Sequence, residues 1–174
     1  MELYILRHGL ASSREEWAGP DAARPLTDKG RSRSRAAARG LARLGVALDI
    51  ILTSAYLRAA ETAQLTAAEL HAPVEEAQAL EPGNLRQGYR ALLQRYDEDA
   101  SLMLVGHEPD LSAVIGALIA GAAPARVELK KGACALLAVD AASLGSTADA
   151  EAQAATLVWL MTARALGAIA KASQ

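Results

Sequence analysis

Short runs of consecutive apolar residues alternate along this chain with longer alanine-rich stretches of amphipathic character. Leu3-Tyr4-Ile5-Leu6, Asp49-Ile50-Ile51-Leu52-Thr53 and Leu102-Met103-Leu104-Val105 are bounded runs too short for helices, and they predict strands buried on both faces. Between them the spacing predicts helices over 27–44, 55–70, 85–96 and 110–119, with a short edge strand at Val74. Thr27 is placed to cap the first of these helices, and Asp28 falls in its first turn, where the helix dipole favours an anion. Beyond Pro124 the pattern changes. Val127-Glu128-Leu129 alternates, 133–139 and 156–161 are apolar runs, and the small, polar stretch 143–154 between them predicts an exposed turn. Strand–helix alternation followed by late strands indicates an α/β sheet, mostly parallel, with an antiparallel addition. No repeat or linker interrupts it, so residues 1–174 are expected to form one domain.

Composition narrows the function. Apolar types make up 52% of the chain, but 41 residues are alanine and none is phenylalanine, so the core must be built from Leu, Ile, Val and Ala. With aromatics at 3%, base-stacking recognition of nucleic acid has little to work with. The charge balance, 18 Lys+Arg against 20 Asp+Glu, leaves no global footprint for a polyanion. Cys134 is the sole cysteine, which excludes an intrachain disulfide and any cysteine-cluster metal site. It sits in an apolar run and reads as core. His8, His71 and His107 lack helical ligand spacing, and no metal is expected. The first residues lack the pattern of a signal peptide, and no apolar stretch is long enough to cross a bilayer, so a cytoplasmic location is expected.

The informative residues fall at strand ends. Arg7-His8-Gly9 follows the first strand, Arg58 comes one short turn after the second, and Gly106-His107-Glu108-Pro109 follows the third. Parallel sheets bind ligands outside the carboxyl ends of their strands. Two arginines and two histidines therefore converge on one crevice, a set suited to a tetrahedral phosphoryl group. Arginine presents a permanent positive fork, and a histidine can attack phosphorus or donate to its oxygens. Gly9 and Gly106 fit a backbone that must approach a ligand closely. Elsewhere, Arg31, Arg33, Arg35, Arg39 and Arg43 read as a solvated helix face rather than a binding patch. His71 reads as a helix-end residue, Trp159 as core, and Lys130 and Lys131 as exposed. Trp17 either lines the cleft mouth or packs its own loop.

Leu6-Arg7-His8-Gly9 closing an N-terminal strand resembles the signature of the histidine phosphatase superfamily, also called phosphoglycerate mutase-like. The likeness continues through Arg24-Pro25-Leu26-Thr27-Asp28-Lys29-Gly30 and through Thr53-Ser54-Ala55-Tyr56-Leu57-Arg58-Ala59-Ala60-Glu61-Thr62-Ala63. In the latter, Ala55 stands where the family usually has proline and Glu61 where it has glutamine. Leu104-Val105-Gly106-His107-Glu108-Pro109-Asp110-Leu111 is similar to the small branch typified by bacterial SixA phosphohistidine phosphatases.

The resemblance implies a three-layer α/β/α sandwich whose third clear strand lies between the first two. It implies that His8 is the nucleophile of a metal-independent phosphatase, with a covalent phosphohistidine intermediate, and that Arg7, Arg58 and His107 complete the phosphate pocket. It also implies a backbone carbonyl near Gly9 that fixes the His8 tautomer. The nearest candidate for the family's general acid is Glu81, which is either that acid or a loop carboxylate. The expected substrate is phosphohistidine on a protein partner; a small-molecule phosphomonoesterase and a non-catalytic phospho-ligand binder are the alternatives.

Overall fold

A computed structural model of the chain describes residues 1–121, 123, 125–144 and 153–172. The three apolar runs form the middle of the sheet as β1 (Glu2–Arg7), β2 (Ile50–Thr53) and β4 (Ser101–Gly106). β3 (Val74–Glu76) is an edge strand beside β2, and β5 (Cys134–Val139) and β6 (Ala155–Met161) extend the other side. The order among the described residues is β3-β2-β4-β1-β5-β6. β1, β2, β3 and β4 are mutually parallel, β5 runs antiparallel to β1, and β6 runs antiparallel to β5. β4 thus lies between β1 and β2, and their carboxyl ends finish level: Arg7 pairs with Gly106, and Thr53 with Val105.

Alternate residues of the central strands serve two cores, which is why the runs carry no polar positions. Leu3, Ile5, Leu52, Leu102 and Leu104 face α3 (Leu85–Leu93) and α4 (Asp110–Ala120). Tyr4, Leu6, Ile51, Met103 and Val105 face α1 (Asp28–Arg43), α2 (Leu57–Leu70) and α5 (Ala163–Ile169). The result is the expected α/β/α sandwich.

Thr27 caps α1 as the sequence predicts, its Oγ1 accepting the Gly30 N–H at 3.0 Å. Cys134 is fully buried, and burial pushes its thiol far above the usual range, which leaves it inert. His71 ends α2 in the left-handed conformation, with its N–H donating to the Ala67 carbonyl.

Some expectations change. The periodicity after Thr162 is too short and too alanine-rich to stand out, yet Thr162 caps α5 there, accepting from the Ala165 N–H. Val127-Glu128-Leu129 alternates without entering the sheet. Trp159 is half-buried rather than core, edge-on to Tyr4 at 6.0 Å. The turn expected over 143–154 lies mostly outside the described residues. At its ends Leu144, in a short 3₁₀ turn (Ala141–Leu144), and Ala154 are buried. Among the described residues no helix is long and apolar enough to cross a membrane.

Candidate active site

The carboxyl ends of β1, β4 and β2 open onto a cavity of about 260 Å³, lined by Arg7, His8, Arg58 and His107 together with Arg14, Asp21, Arg24, Pro82, Glu108 and Lys131. All four strand-end residues expected from the sequence meet there. His8 is 7% exposed, Arg58 5% and His107 4%. So little water reaches these groups that their charges and protons are governed by their neighbours.

His8 Nδ1 lies 2.8 Å from the Gly9 carbonyl oxygen. A carbonyl only accepts, so Nδ1 carries the proton and Nε2 presents its lone pair. Burial, together with the nearby His107, Arg58 and Arg7, pushes the His8 imidazole down to about 3, against the opposing pull of the Gly9 hydrogen bond. The ring is therefore neutral and nucleophilic at Nε2 throughout the physiological range.

His107 stands 5.1 Å from His8, centroid to centroid, and burial with the Arg58 charge pushes it down to about 4. Its Nε2 lies 3.0 Å from Ser54 Oγ, which also accepts the Tyr56 N–H. In the tautomer whose Nε2 accepts from the Ser54 hydroxyl, the ring proton sits on Nδ1, the arrangement that a phosphate oxygen requires. Tyr56 packs edge-on to His107 at 5.3 Å and carries the Arg58 guanidinium over its ring face at 5.1 Å.

Both arginines are held by part of their fork. Arg7 donates from one terminal nitrogen to the Leu129 carbonyl at 2.9 Å. Arg58 donates to the Asp21 carbonyl at 2.9 Å and to its carboxylate at 3.1 Å. Burial lowers both guanidinium groups, yet both remain charged. Asp21 is also bound by Arg24 at 2.9 Å. Although burial opposes it, that hydrogen bond and the Arg58 and Arg24 charges hold its carboxyl below the usual range.

Five buried side-chain polar atoms among the described residues lack a hydrogen-bond partner: Arg7 Nε, Arg58 Nε, His107 Nδ1, Glu108 Oε1 and Ser34 Oγ. The first four belong to residues lining this one cavity. The two arginine Nε atoms are donors, and His107 Nδ1 is a third in the tautomer whose Nε2 accepts from Ser54; orphaned buried donors are costly unless a ligand completes them.

Thr62, inside α2, ties two parts of the site together. Its hydroxyl donates to the Arg58 carbonyl at 2.7 Å and accepts the Gly9 N–H at 3.0 Å. Helix packing also bears on Gly9 and Gly106. A Cβ on Gly9 would collide with Ser34 Oγ on α1, and one on Gly106 would come within 3.3 Å of Leu111 Cδ2 on α4. Glu61 also has a structural role, one oxygen accepting the Leu26 N–H at 2.7 Å and the other pairing with Arg31 at 2.8 Å.

Glu81 does not line the cavity, whereas its neighbour Pro82 does. The Pro82 loop is tied down by Asp110, whose carboxylate accepts the Gly83 N–H at 2.6 Å. The cavity's acidic side chains are Asp21 and Glu108, neither of which the sequence reading singled out. Asp21 carries no signal in the sequence, since it opens a three-residue 3₁₀ turn (Asp21–Ala23) too short to leave a pattern; Glu108 is visible as the residue after His107. Lys131 is exposed as expected but also lines the cavity. Trp17 packs its own loop, donating from Nε1 to the Pro20 carbonyl at 3.0 Å. Among the described residues no group of three His, Cys, Asp or Glu side chains is arranged to hold a metal ion.

Comparisons with known proteins agree with this fold. Residues 3–86 match the family described as the histidine phosphatase superfamily, branch 1. An uncharacterized protein of the cyanobacterium Picosynechococcus sp. is 40% identical over 154 residues, covering 87% of this chain and 93% of its own. The solved structure of the protein histidine phosphatase SixA complexed with tungstate is 26% identical, with a TM-score of 0.80 over 94% of this chain and 98% of that one. A mycobacterial glucosyl-3-phosphoglycerate phosphatase shares the fold, with a TM-score of 0.66 at 18% identity over 90% of this chain and 96% of its own. On the family match, the relative that follows the chain through most of its length and the SixA likeness, the protein belongs to the histidine phosphatase superfamily and is a phosphatase.

Proposed function

We propose that this phosphatase hydrolyses phosphohistidine on a protein partner, and that the phosphoryl group is carried transiently on His8 Nε2. The observation that carries the reading is the meeting of one lone pair with three incomplete donors. His8 Nε2 faces a cavity whose lining residues hold the unpartnered Arg7 Nε, Arg58 Nε and His107 Nδ1. A tetrahedral dianion satisfies those donors and brings phosphorus to the nucleophile. The SixA structure holds tungstate, an oxyanion of that shape.

In the first step the His8 Nε2 lone pair forms a bond to phosphorus as the bond to the leaving group breaks. Water then displaces the phosphoryl group from His8, releasing inorganic phosphate. The arginines and His107 stabilise the charge on the phosphoryl oxygens, so catalysis rests on positioning and preorganised electrostatics. The leaving group favours a phosphoramidate. An alkoxide needs a proton as it departs, whereas an imidazole with an ordinary pKa near 6.5 leaves easily from its protonated form.

The test offers a radiolabelled phosphohistidine protein and a panel of phosphate esters to wild-type and His8→Ala enzyme. Acid-labile label is expected on the wild type only, phosphohistidine should be the better substrate, and the variant should lose about 10⁴-fold or more in rate. Label on serine or aspartate would overturn the nucleophile. A clear preference for an ester would overturn the substrate and favour a small-molecule phosphomonoesterase.

A further inference from the structure

Glu108 is a carboxylate in a pocket whose other acidic side chain, Asp21, is already paired with Arg24 and Arg58. It follows His107 directly and lines the cavity with Arg7, Pro82 and Lys131. One of its oxygens, Oε2, is engaged by Ser112 Oγ at 2.5 Å, four residues on in the first turns of α4. The other, Oε1, is buried with no partner. The carboxylate is thus held at one oxygen and left without a partner at the other.

A buried, unpaired carboxylate oxygen beside a phosphate site has two costs. It forgoes its hydrogen bond, and it repels the phosphoryl oxygens. The phosphoryl group therefore rests on the Arg7, Arg58 and His107 donors, and Oε1 is left to meet the remainder of the substrate. What Oε1 needs is a hydrogen-bond donor, by preference a cationic one. The bridging oxygen of a phosphate ester carries no hydrogen. A protonated phosphoimidazole carries both a positive charge and an N–H on the ring nitrogen that is not bonded to phosphorus.

We propose that Glu108 is the specificity-determining residue, selecting a cationic N–H leaving group by accepting its hydrogen bond at Oε1. This rests on the phosphohistidine reading above. In the step it serves, the bond from His8 Nε2 to phosphorus forms and the P–N bond breaks. The electron pair returns to the ring nitrogen, and the ring departs as neutral imidazole with its distal N–H still held by Glu108. No proton is transferred to or from the carboxylate.

The experiment measures kcat/KM of wild-type, Glu108→Gln and Glu108→Leu enzyme on N-phosphoimidazole and on p-nitrophenyl phosphate, with Glu81→Gln as a control and thermal unfolding as a check on folding. Loss of a charge-assisted hydrogen bond predicts a fall of about 10- to 100-fold on phosphoimidazole for Leu and a smaller fall for Gln. On the ester, activity should hold or rise, because an anion has been removed from an anion site. Glu81→Gln should leave the ratio of the two substrates unchanged. Equal losses on both substrates, a larger loss on the ester, or no loss on either would each overturn the proposal. The wild-type enzyme tests the parent reading separately: failure to turn over phosphoimidazole would sink that reading, whereas brisk turnover with an unchanged ratio in the variants would sink the role of Glu108 alone.

Discussion

Arginine occupies two contrasting settings in this molecule. On α1, Arg33 and Arg35 are exposed, and Arg39 reaches Glu69 on α2 at 3.0 Å with more than half of its side chain in water. At the strand ends, the Arg58 side chain is 6% exposed and part of its fork has no partner. The helix arginines exchange water for carboxylates at little gain, because solvent screens the charge. The strand-end arginines have given up water without full replacement, so each incoming oxygen meets an undischarged donor in a poorly screened site. Desolvation, not charge count, separates a binding site from a solvated face.

The sharpest break of that contrast is the removal of a pocket arginine. Arg58→Ala or Arg7→Ala should lower kcat/KM by about 10²- to 10³-fold, the usual cost of one preorganised donor to a developing oxyanion. Arg33→Ala and Arg35→Ala, in the same assay, should stay within about twofold. An equal loss at both sets would mean that net charge, rather than placement, governs the reaction.

A second test uses the histidines that share the dry pocket. Burial holds His8 and His107 down to about 3 and 4, below the 6.5 of an unfolded chain. Between those values the unfolded state binds more protons than the folded one, so stability is full above pH 6.5 and falls as pH drops toward 4. Each histidine should contribute on the order of 2 kcal/mol to the loss between pH 6.5 and 5. Urea unfolding at stepped pH measures it, and His107→Asn should flatten the slope. A slope unchanged by that substitution would show that the ring is already solvated.

The smallest effect belongs to the solvated face. A double-mutant cycle on Arg39 and Glu69, followed by urea unfolding, should give a coupling of about 0.2–1 kcal/mol that fades in salt. A larger coupling would make that face a structural clamp.

Most of the site was legible because its residues sit where strands end, and these strands announce themselves: β1, β2 and β4 are buried on both faces and tolerate no polar interruption. Arg7, His8 and His107 follow such runs directly, and Arg58 is one turn away. Helix α5 was hidden because seven alanine-rich residues capped by Thr162 leave no period to read. Asp21 could not be found, since its bond to Arg58 joins positions 37 residues apart, with α1 and β2 between them. Glu81 drew attention by its place in a resemblance, yet the loop turns Pro82 to the cavity instead. Glu108 was in plain view, but its significance depends on an oxygen left without a partner, which is a property of three dimensions only.

The Thr62 hydroxyl, shared between the Arg58 carbonyl and the Gly9 N–H, bears on how this scaffold can diversify. Because one side chain on a rigid helix sets the spacing of nucleophile and clamp, the loop between Ala11 and Leu26, whose base is closed by a bridge between those two residues, touches the clamp only through Asp21 and its bonds to Arg58. Insertions there that leave Asp21 on Arg58 can reshape what the cleft admits, so new substrates are reached by lengthening a loop while the reaction centre stands still.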